Sequence, residues 1–412
     1  MTGTGHSKLN VVYLHGLCSS WMRQDKLSHV ELFRQDQARV DYIHHRASNA
    51  TTKLNPIGKS LFARVPAIID YDINRYAFIV NIGLGNPTKF FSLIVDTGSD
   101  LSWTQCVPCV NCYDQKNPFY DQTQSSNFTT IPCNSNYCTQ LEYFGCSSTL
   151  TCLFEERYMD NSIVNGSLIT DTLHISNDII YNFVFGCGHD NTGFFTHEDG
   201  LLGLGRGPHS IISQAPQAYN KIFSYCLPSG PDEIGYLELG NSALGVKYTP
   251  MLTDPDFPYL YFVNLTAILI GGEKISLPPT IFSGPRTMLD SGTAFSHIPP
   301  TAYYALRSIF RKEMSNYPMA PPLYNLDTCY DFTNYSQVVV PEISLIYDGE
   351  VTTNLAFTGI IFVFTKSQGC LAFAENEDDN EFIIIGNMQH RTFNVVYDVG
   401  NLQIGFGANG CS

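Results

Sequence analysis

From residue 76 onward the chain is written in short apolar runs. Residues 76–82, 89–95, 179–186, 259–270, 338–347 and 393–406 are rich in Val, Ile, Phe and Tyr, with Gly, Pro, Asn or Asp between them. Runs of this length between turn formers predict β-strands. Gly83-Leu-Gly85-Asn86-Pro87 predicts a turn after the first. Two stretches carry a helical pattern instead. Ser28-His-Val-Glu31 has the spacing of a capping box, and no Gly or Pro follows through His45. Residues 301–314 follow Pro299-Pro300, a favourable helix start. Residues 49–59 are polar, contain Pro56 and Gly58, and predict a loop. The pattern describes a mostly β protein with few short helices.

The strongest organisational signal is a repeat. Val95-Asp96-Thr97-Gly98-Ser99 returns as Leu289-Asp290-Ser291-Gly292-Thr293, 194 positions later. Leu201-Leu202-Gly203 lies downstream of the first copy, its glycine 107 positions after Asp96. Ile384-Ile385-Gly386 lies downstream of the second, its glycine 96 positions after Asp290. One Asp-Thr-Gly alone reads as a surface turn. Two ordered elements repeating together argue for two lobes of matching design.

Length agrees with that division. The 412 residues are too many for one ordinary core and suit two lobes plus an extension. The expected parts are residues 1–70, a separable front piece; 76–247, a first lobe; and 248–412, a second. The net charge is -15, but it is unevenly spread. Residues 1–70 hold nine Lys and Arg against five Asp and Glu, and the remainder holds fourteen against thirty-three. A basic front on an acidic body can dock electrostatically and leave when carboxylates protonate. The acidic body argues against a nucleic-acid partner. No run is long and apolar enough to span a bilayer, and the terminal Asn-Gly-Cys-Ser carries no anchor signal. Residues 1–20 hold no continuous apolar run of the kind that directs secretion.

Twelve of the thirteen cysteines lie from Cys106 onward. An even set predicts up to six disulfides and an oxidising compartment. Cys106, Cys109 and Cys112 have zinc-like spacing, but no second pair accompanies them, so neither metal nor cofactor is expected. Sequons at Asn49, Asn127, Asn165, Asn264 and Asn334 point to the same compartment. Gly203-Leu-Gly-Arg-Gly207 resembles a dinucleotide loop only superficially, since no βαβ unit surrounds it. His44-His45 reads as a solvated helix end, and the acidic run 375–381 as a solvated loop joining two strands.

The chemistry of the repeat follows from two carboxyls brought together. Like charges about 3 Å apart cannot both ionise cheaply, so such a pair shares one proton. One member can then take a proton from water while the other donates toward a substrate carbonyl. The pair titrates as a unit. Gly98 and Gly292 permit tight turns close to Asp96 and Asp290. Thr97 and Ser291 offer hydroxyls that can tie each turn to the opposite lobe. Ser99 and Thr293 can bond the outer carboxylate oxygens.

Residues Phe91-Ser-Leu-Ile-Val-Asp-Thr-Gly-Ser-Asp-Leu-Ser-Trp103 and Thr287-Met-Leu-Asp-Ser-Gly-Thr293 resemble the plant pepsin-family aspartic proteases of the nepenthesin-like branch. So do the cysteine-rich segment Cys106 to Cys152, Phe185-Gly-Cys-Gly188 and Phe223-Ser-Tyr-Cys-Leu227. The resemblance covers nearly the whole chain. It implies a bilobal pepsin-like β fold with a central cleft for extended peptide and a removable N-terminal prosegment. It places the catalytic pair on Asp96 and Asp290 and a disulfide between Cys329 and Cys370, and leaves the pairing within the insert open. It places a substrate-closing flap at Tyr158-Met159-Asp160-Asn161-Ser162, with Trp103 packing against Tyr158. Met159 and Asn161 stand where the family usually has glycine, a departure that bears on flap shape. The expectation is a monomeric aspartic endopeptidase, made as a zymogen, secreted to the apoplast or sent to the vacuole, and acting on polypeptides. The alternative is an inactive relative that serves as a binding or inhibitor protein.

Overall fold

The computed structural model describes residues 29–47, 63–65, 68–69 and 77–411, except 159–160, 196, 216–218, 231–232, 241–244, 283–286, 364 and 366. Met159 and Asp160 of the expected flap, Asn49, Cys18 and the capping Ser28 therefore lie outside the described residues.

The strand periodicities fold into a bilobal, mostly β molecule. A ten-stranded sheet is built from strands between Ile68 and Gly203. One five-stranded and two four-stranded sheets are built from strands between Phe262 and Gly386. A six-stranded sheet joins the halves. It pairs Ile222–Cys226 from the first part of the chain with Asn394–Asp398 from its end, in antiparallel register. The strand Ala63–Val65 adds to the same sheet beside Tyr236–Leu239. The core is continuous through this platform, where Phe223 stacks on Tyr397 with ring centres 4.5 Å apart.

Several boundaries moved from those that periodicity suggests. The run 259–270 is two strands, Phe262–Val263 and Leu265–Ile270, which join different sheets. Only Ile343–Tyr347 of the run 338–347 is strand, because Pro341 lacks the amide a ladder needs. The helix expected over 301–314 spans Pro300–Glu313 with Pro at its first turn. The front helix, here α1, spans His29–Ala47.

All twelve cysteines from Cys106 onward pair. The bridges are Cys106–Cys187, Cys109–Cys112, Cys133–Cys146, Cys138–Cys152, Cys226–Cys411 and Cys329–Cys370. The zinc-like triplet is thus divided between two disulfides. Four of the bridges fasten the insert, a segment with little regular structure to bury and correspondingly more need of covalent ties.

The second element of the repeat acquires its meaning in the fold. Strand Lys89–Asp96 pairs in parallel with Gly200–Gly203, setting Gly203 opposite Asp96. Strand Thr287–Asp290 pairs likewise with Ile383–Gly386, setting Gly386 opposite Asp290. The chain leaving each aspartate passes directly over that glycine. A Cβ on Gly203 would sit 2.2 Å from the carbonyl oxygen of Asp100. One on Gly386 would sit 2.6 Å from that of Phe295. Only glycine fits at either point.

Candidate active site

Each aspartate ends a buried strand and opens a turn, and the two turns meet at the lobe boundary. The Thr97 hydroxyl donates to Leu289 O at 3.3 Å and accepts from Ser291 N at 3.0 Å. The Ser291 hydroxyl donates to Val95 O at 3.0 Å and accepts from Thr97 N at 3.0 Å. These four bonds form a pseudo-twofold lattice that ties one lobe to the other. All the participating groups are buried, so none can exchange its partner for water without cost.

The carboxylates are held on matching sides. Ser99 Oγ donates to Asp96 Oδ2 at 2.7 Å and Thr293 Oγ1 to Asp290 Oδ2 at 2.5 Å. Gly98 N donates to Asp96 Oδ1 at 3.0 Å and Gly292 N to Asp290 Oδ1 at 2.9 Å. A guanidinium lies between them. Arg39 Nη2 donates to Asp96 Oδ1 and to Asp290 Oδ1, both at 2.7 Å, and Arg39 Nε donates to Asp290 Oδ2 at 2.6 Å. The two inner oxygens therefore lie within twice 2.7 Å of one another. The bare turns make room for the cation. A Cβ on Gly98 or on Gly292 would come within 2.4 Å of Arg39 Nη2.

Charge dominates this cluster. Burial pushes the Asp96 carboxyl up, but the Arg39 charge and hydrogen bond, with those from Ser99 and Gly98, hold it below its ordinary value. Burial likewise opposes the Arg39 charge, and the two carboxylates outweigh it, raising its pKa further. Beneath the turns, Tyr225 Oη lies 2.9 Å from His390 Nδ1 and 2.9 Å from Tyr397 Oη. Burial drives His390 down to about 3, so this layer stays uncharged across the acidic range.

Arg39 belongs to α1, which lies along the second lobe beside the dyad. Asp36 accepts from Ala294 N at 2.5 Å, immediately after the second motif. Phe33 stacks on Phe295 at 5.1 Å and Tyr324 at 4.9 Å. Val40 and Ile43 enter a second apolar cluster with Phe262, Met288 and Ile384. His44 is not the solvated helix end that its sequence context suggests. Its Nε2 lies 2.9 Å from Phe382 O and its Nδ1 3.1 Å from Glu381, at the end of the acidic loop.

The other side of the dyad carries the aromatic pair. Trp103 Nε1 donates to Tyr158 Oη at 2.5 Å, and Phe195 packs edge-on against Trp103. The hairpin beyond Tyr158 closes through Tyr158 N to Ser162 O at 2.8 Å and Asn161 N to Tyr158 O at 3.0 Å. Asn161 takes a φ of 65°, the left-handed region, which asparagine tolerates better than most residues with a side chain. That tolerance accounts for an asparagine where the family usually has glycine.

Three residues near the site are given no role by the motifs. Arg39 is one of nine basic residues in the front piece, and only its helical position selects it. Asp100 accepts from Gly207 N at 2.9 Å and is pushed up to about 7, chiefly by burial. Its carboxylate occupies the space over Gly205 and Gly207, the role that the glycine-rich segment serves here. His209, lowered by burial, packs on Tyr137 of the cysteine-rich insert and lies 2.6 Å from its carbonyl oxygen.

Paired Asp-Thr/Ser-Gly turns on a pseudo-twofold between two β lobes define the pepsin-like architecture. Comparison with known proteins agrees with it. Residues 78–241 match the family described as xylanase inhibitor N-terminal, and residues 260–408 its C-terminal counterpart. An Arabidopsis thaliana aspartyl protease family protein is 41% identical over 419 residues, spanning 99% of this chain and 88% of the relative. The aspartic proteinase nepenthesin-2 of Nepenthes gracilis is 34% identical over 346 residues, spanning 81% of this chain and 78% of the relative. The solved structure of conglutin gamma, a basic 7S globulin from lupine seeds, superposes with a TM-score of 0.68 at 17% identity, over 85% of this chain and 96% of that one. Soybean basic 7S globulin gives 0.67 at 18% identity, over 85% and 97%. The chain belongs to the plant pepsin-like aspartic protease family.

Proposed function

We propose that this protein is an aspartic endopeptidase synthesised as a precursor. In this reading residues 1–70 act as the prosegment, and 76–247 and 248–412 form the two lobes of the working enzyme. The observation that carries it is the pair of carboxylates bonded to a single nitrogen of Arg39, each with its own hydroxyl and glycine amide.

With α1 withdrawn, the position of Arg39 Nη2 is within hydrogen-bond reach of both carboxylates and suits a water molecule. Two carboxylates left without their cation share a proton, because ionising both would set like charges together. The ionised member takes a proton from the water as its oxygen attacks the scissile carbonyl. The protonated member donates to the carbonyl oxygen, giving a gem-diol. The aspartate that took the water proton then passes it to the leaving nitrogen, the other takes back a diol proton, and the C–N bond breaks to release acid and amine with the shared proton restored. The Ser99 and Thr293 hydroxyls fix the outer oxygens and the two glycine amides fix the inner ones, so little reorganisation accompanies the transfer. Tyr158, braced by Trp103, and Asp160 beside it would close over an extended, apolar or aromatic segment of polypeptide and exclude water.

Six disulfides favour an extracellular or vacuolar setting, and the enzyme would act there as a monomer. Glycosylation at exposed sequons belongs to the same reading. The test is digestion of a denatured protein by the acid-treated full chain. Cleavage that Asp96→Asn and Asp290→Asn each abolish supports the enzyme. Tight binding of another protein by a chain that cleaves nothing supports the inhibitor-like alternative.

A further inference from the structure

We propose that the cavity on the Asp96 side of the dyad is a specificity subsite for a lysine or arginine side chain of the substrate, with Glu156 as its principal determinant. The proposal rests on the protease reading and adds a substrate class to it.

The helix α1 covers the second lobe and leaves a cavity of about 320 Å³ beside Asp96. One of its walls is Gln140, Leu141 and Glu142 of the cysteine-rich insert, held in place by the Cys138–Cys152 bridge. Five carboxylate residues line it: Asp96, Asp100, Glu142, Glu156 and Asp256. Asp256 Oδ1 is buried and has no hydrogen-bond partner among the described residues.

Strand geometry decides which charges face inward. In Cys152–Arg157, Phe154 is buried while Leu153 is 38% exposed. Glu156 falls on the face of Phe154 by the two-residue period, and Tyr158 continues that face. Its cross-strand partner Val164 is fully buried, which places Glu156 on the inner side of the hairpin. Arg157 falls on the opposite face. There its Nε donates to Glu155 at 2.5 Å and its guanidinium lies 4.5 Å above the Tyr143 ring.

Arg39 is the other arginine of the lining, and in the protease reading it departs with α1. Its guanidinium is seated on Asp96 and Asp290 at one end of this cavity. Once it leaves, the acidic groups of the lining, Glu142, Glu156 and Asp256 with the singly charged dyad, outnumber its remaining basic residues Arg157 and His209, while burial keeps Asp100 protonated at about pH 5. The space is partly enclosed, so that screening by salt is weak. A cationic side chain two or three residues from the scissile bond would be attracted there, and an acidic one repelled.

The experiment uses the acid-activated protein and a peptide scaffold cleaved at one bond. Each position on either side of that bond carries lysine, norleucine or glutamate in turn, assayed at about pH 5, where most carboxylates are ionised. At one position kcat/KM should favour lysine over glutamate by about tenfold. In Glu156→Gln that ratio should fall to about twofold, and Glu142→Gln should lower it by less. Cleavage of the norleucine peptides without a lysine preference at any position overturns the subsite and leaves the protease intact. A preference that survives Glu156→Gln overturns the assignment to Glu156. Failure to cleave the norleucine peptides overturns the protease reading and the subsite together.

Discussion

Replacing Arg39 with glutamine is the most direct probe of the closed cleft. The side chain is nearly isosteric over its first carbons but carries no charge. It would forfeit three charge-assisted hydrogen bonds of 2.6–2.7 Å, made where Arg39 is 14% exposed and the carboxylates are at most 1% exposed. Breaking a buried pair by removing one partner costs about 3–5 kcal/mol. Here part of that cost is recovered, because the two carboxylates can share a proton once the cation is gone. A net loss of about 3 kcal/mol from the docking of α1 is a reasonable expectation, or roughly a hundredfold in the ratio of closed to open cleft. The assay is pepstatin binding by the full-length chain near neutral pH, where the apparent affinity scales with the open fraction. The substituted chain should bind roughly a hundredfold more tightly than the parent. The sign of the pH effect follows from Asp96. Its carboxyl is depressed by Arg39, so docking is stabilised above the ordinary carboxylate range and loses that contribution as pH falls through the depressed value. The parent should therefore open on acidification, and the Arg39→Gln chain should show a much shallower pH dependence. Equal pepstatin affinity in the two chains across the pH range would refute the idea that Arg39 holds the helix in place.

Three further expectations concern the frame of the site. Asp100, raised to about 7, favours the folded state while protonated; the contribution is complete below about pH 4 and is lost as pH rises through 7. The rise from the ordinary carboxyl value to about 7 corresponds to at most roughly 4 kcal/mol, so Asp100→Asn should flatten the decline in urea midpoint between about pH 4 and 7. Ser291→Ala removes two cross-lobe hydrogen bonds and should lower unfolding free energy by about 2 kcal/mol, read from the urea midpoint at constant slope. Trp103→Phe keeps an aromatic ring but deletes the donor to Tyr158 and some buried volume, and should cost at least about 1 kcal/mol of flap order, read as roughly a fivefold or greater fall in kcat/KM. An unchanged kcat/KM in that variant would separate the indole hydrogen bond from flap closure.

Much of the architecture is legible in the residues because it depends on local pattern or on duplication. Apolar runs between turn formers give strands, and a repeated Asp-Thr/Ser-Gly with a repeated apolar-apolar-Gly gives two lobes. The strand Lys89–Asp96 and the helix Pro300–Glu313 fall within a residue of where period and capping place them. Residues 338–342 do not form the strand their apolar content suggests, since burial elsewhere and Pro341 overrule it.

By itself the sequence determined the chemical inventory: two acids, their flanking hydroxyls and glycines, an even set of cysteines, and a basic front piece. Only the tertiary structure decided which of nine front-piece cations reaches the dyad, which cysteines meet within the insert, and which carboxylates of the hairpin turn inward. The reason is physical. Composition and period fix what a segment can bury, because they act between near neighbours in the chain. Pairing across 57 or 251 residues, as between Arg39 and the two aspartates, is fixed only when whole lobes pack and set distance, burial and dielectric together.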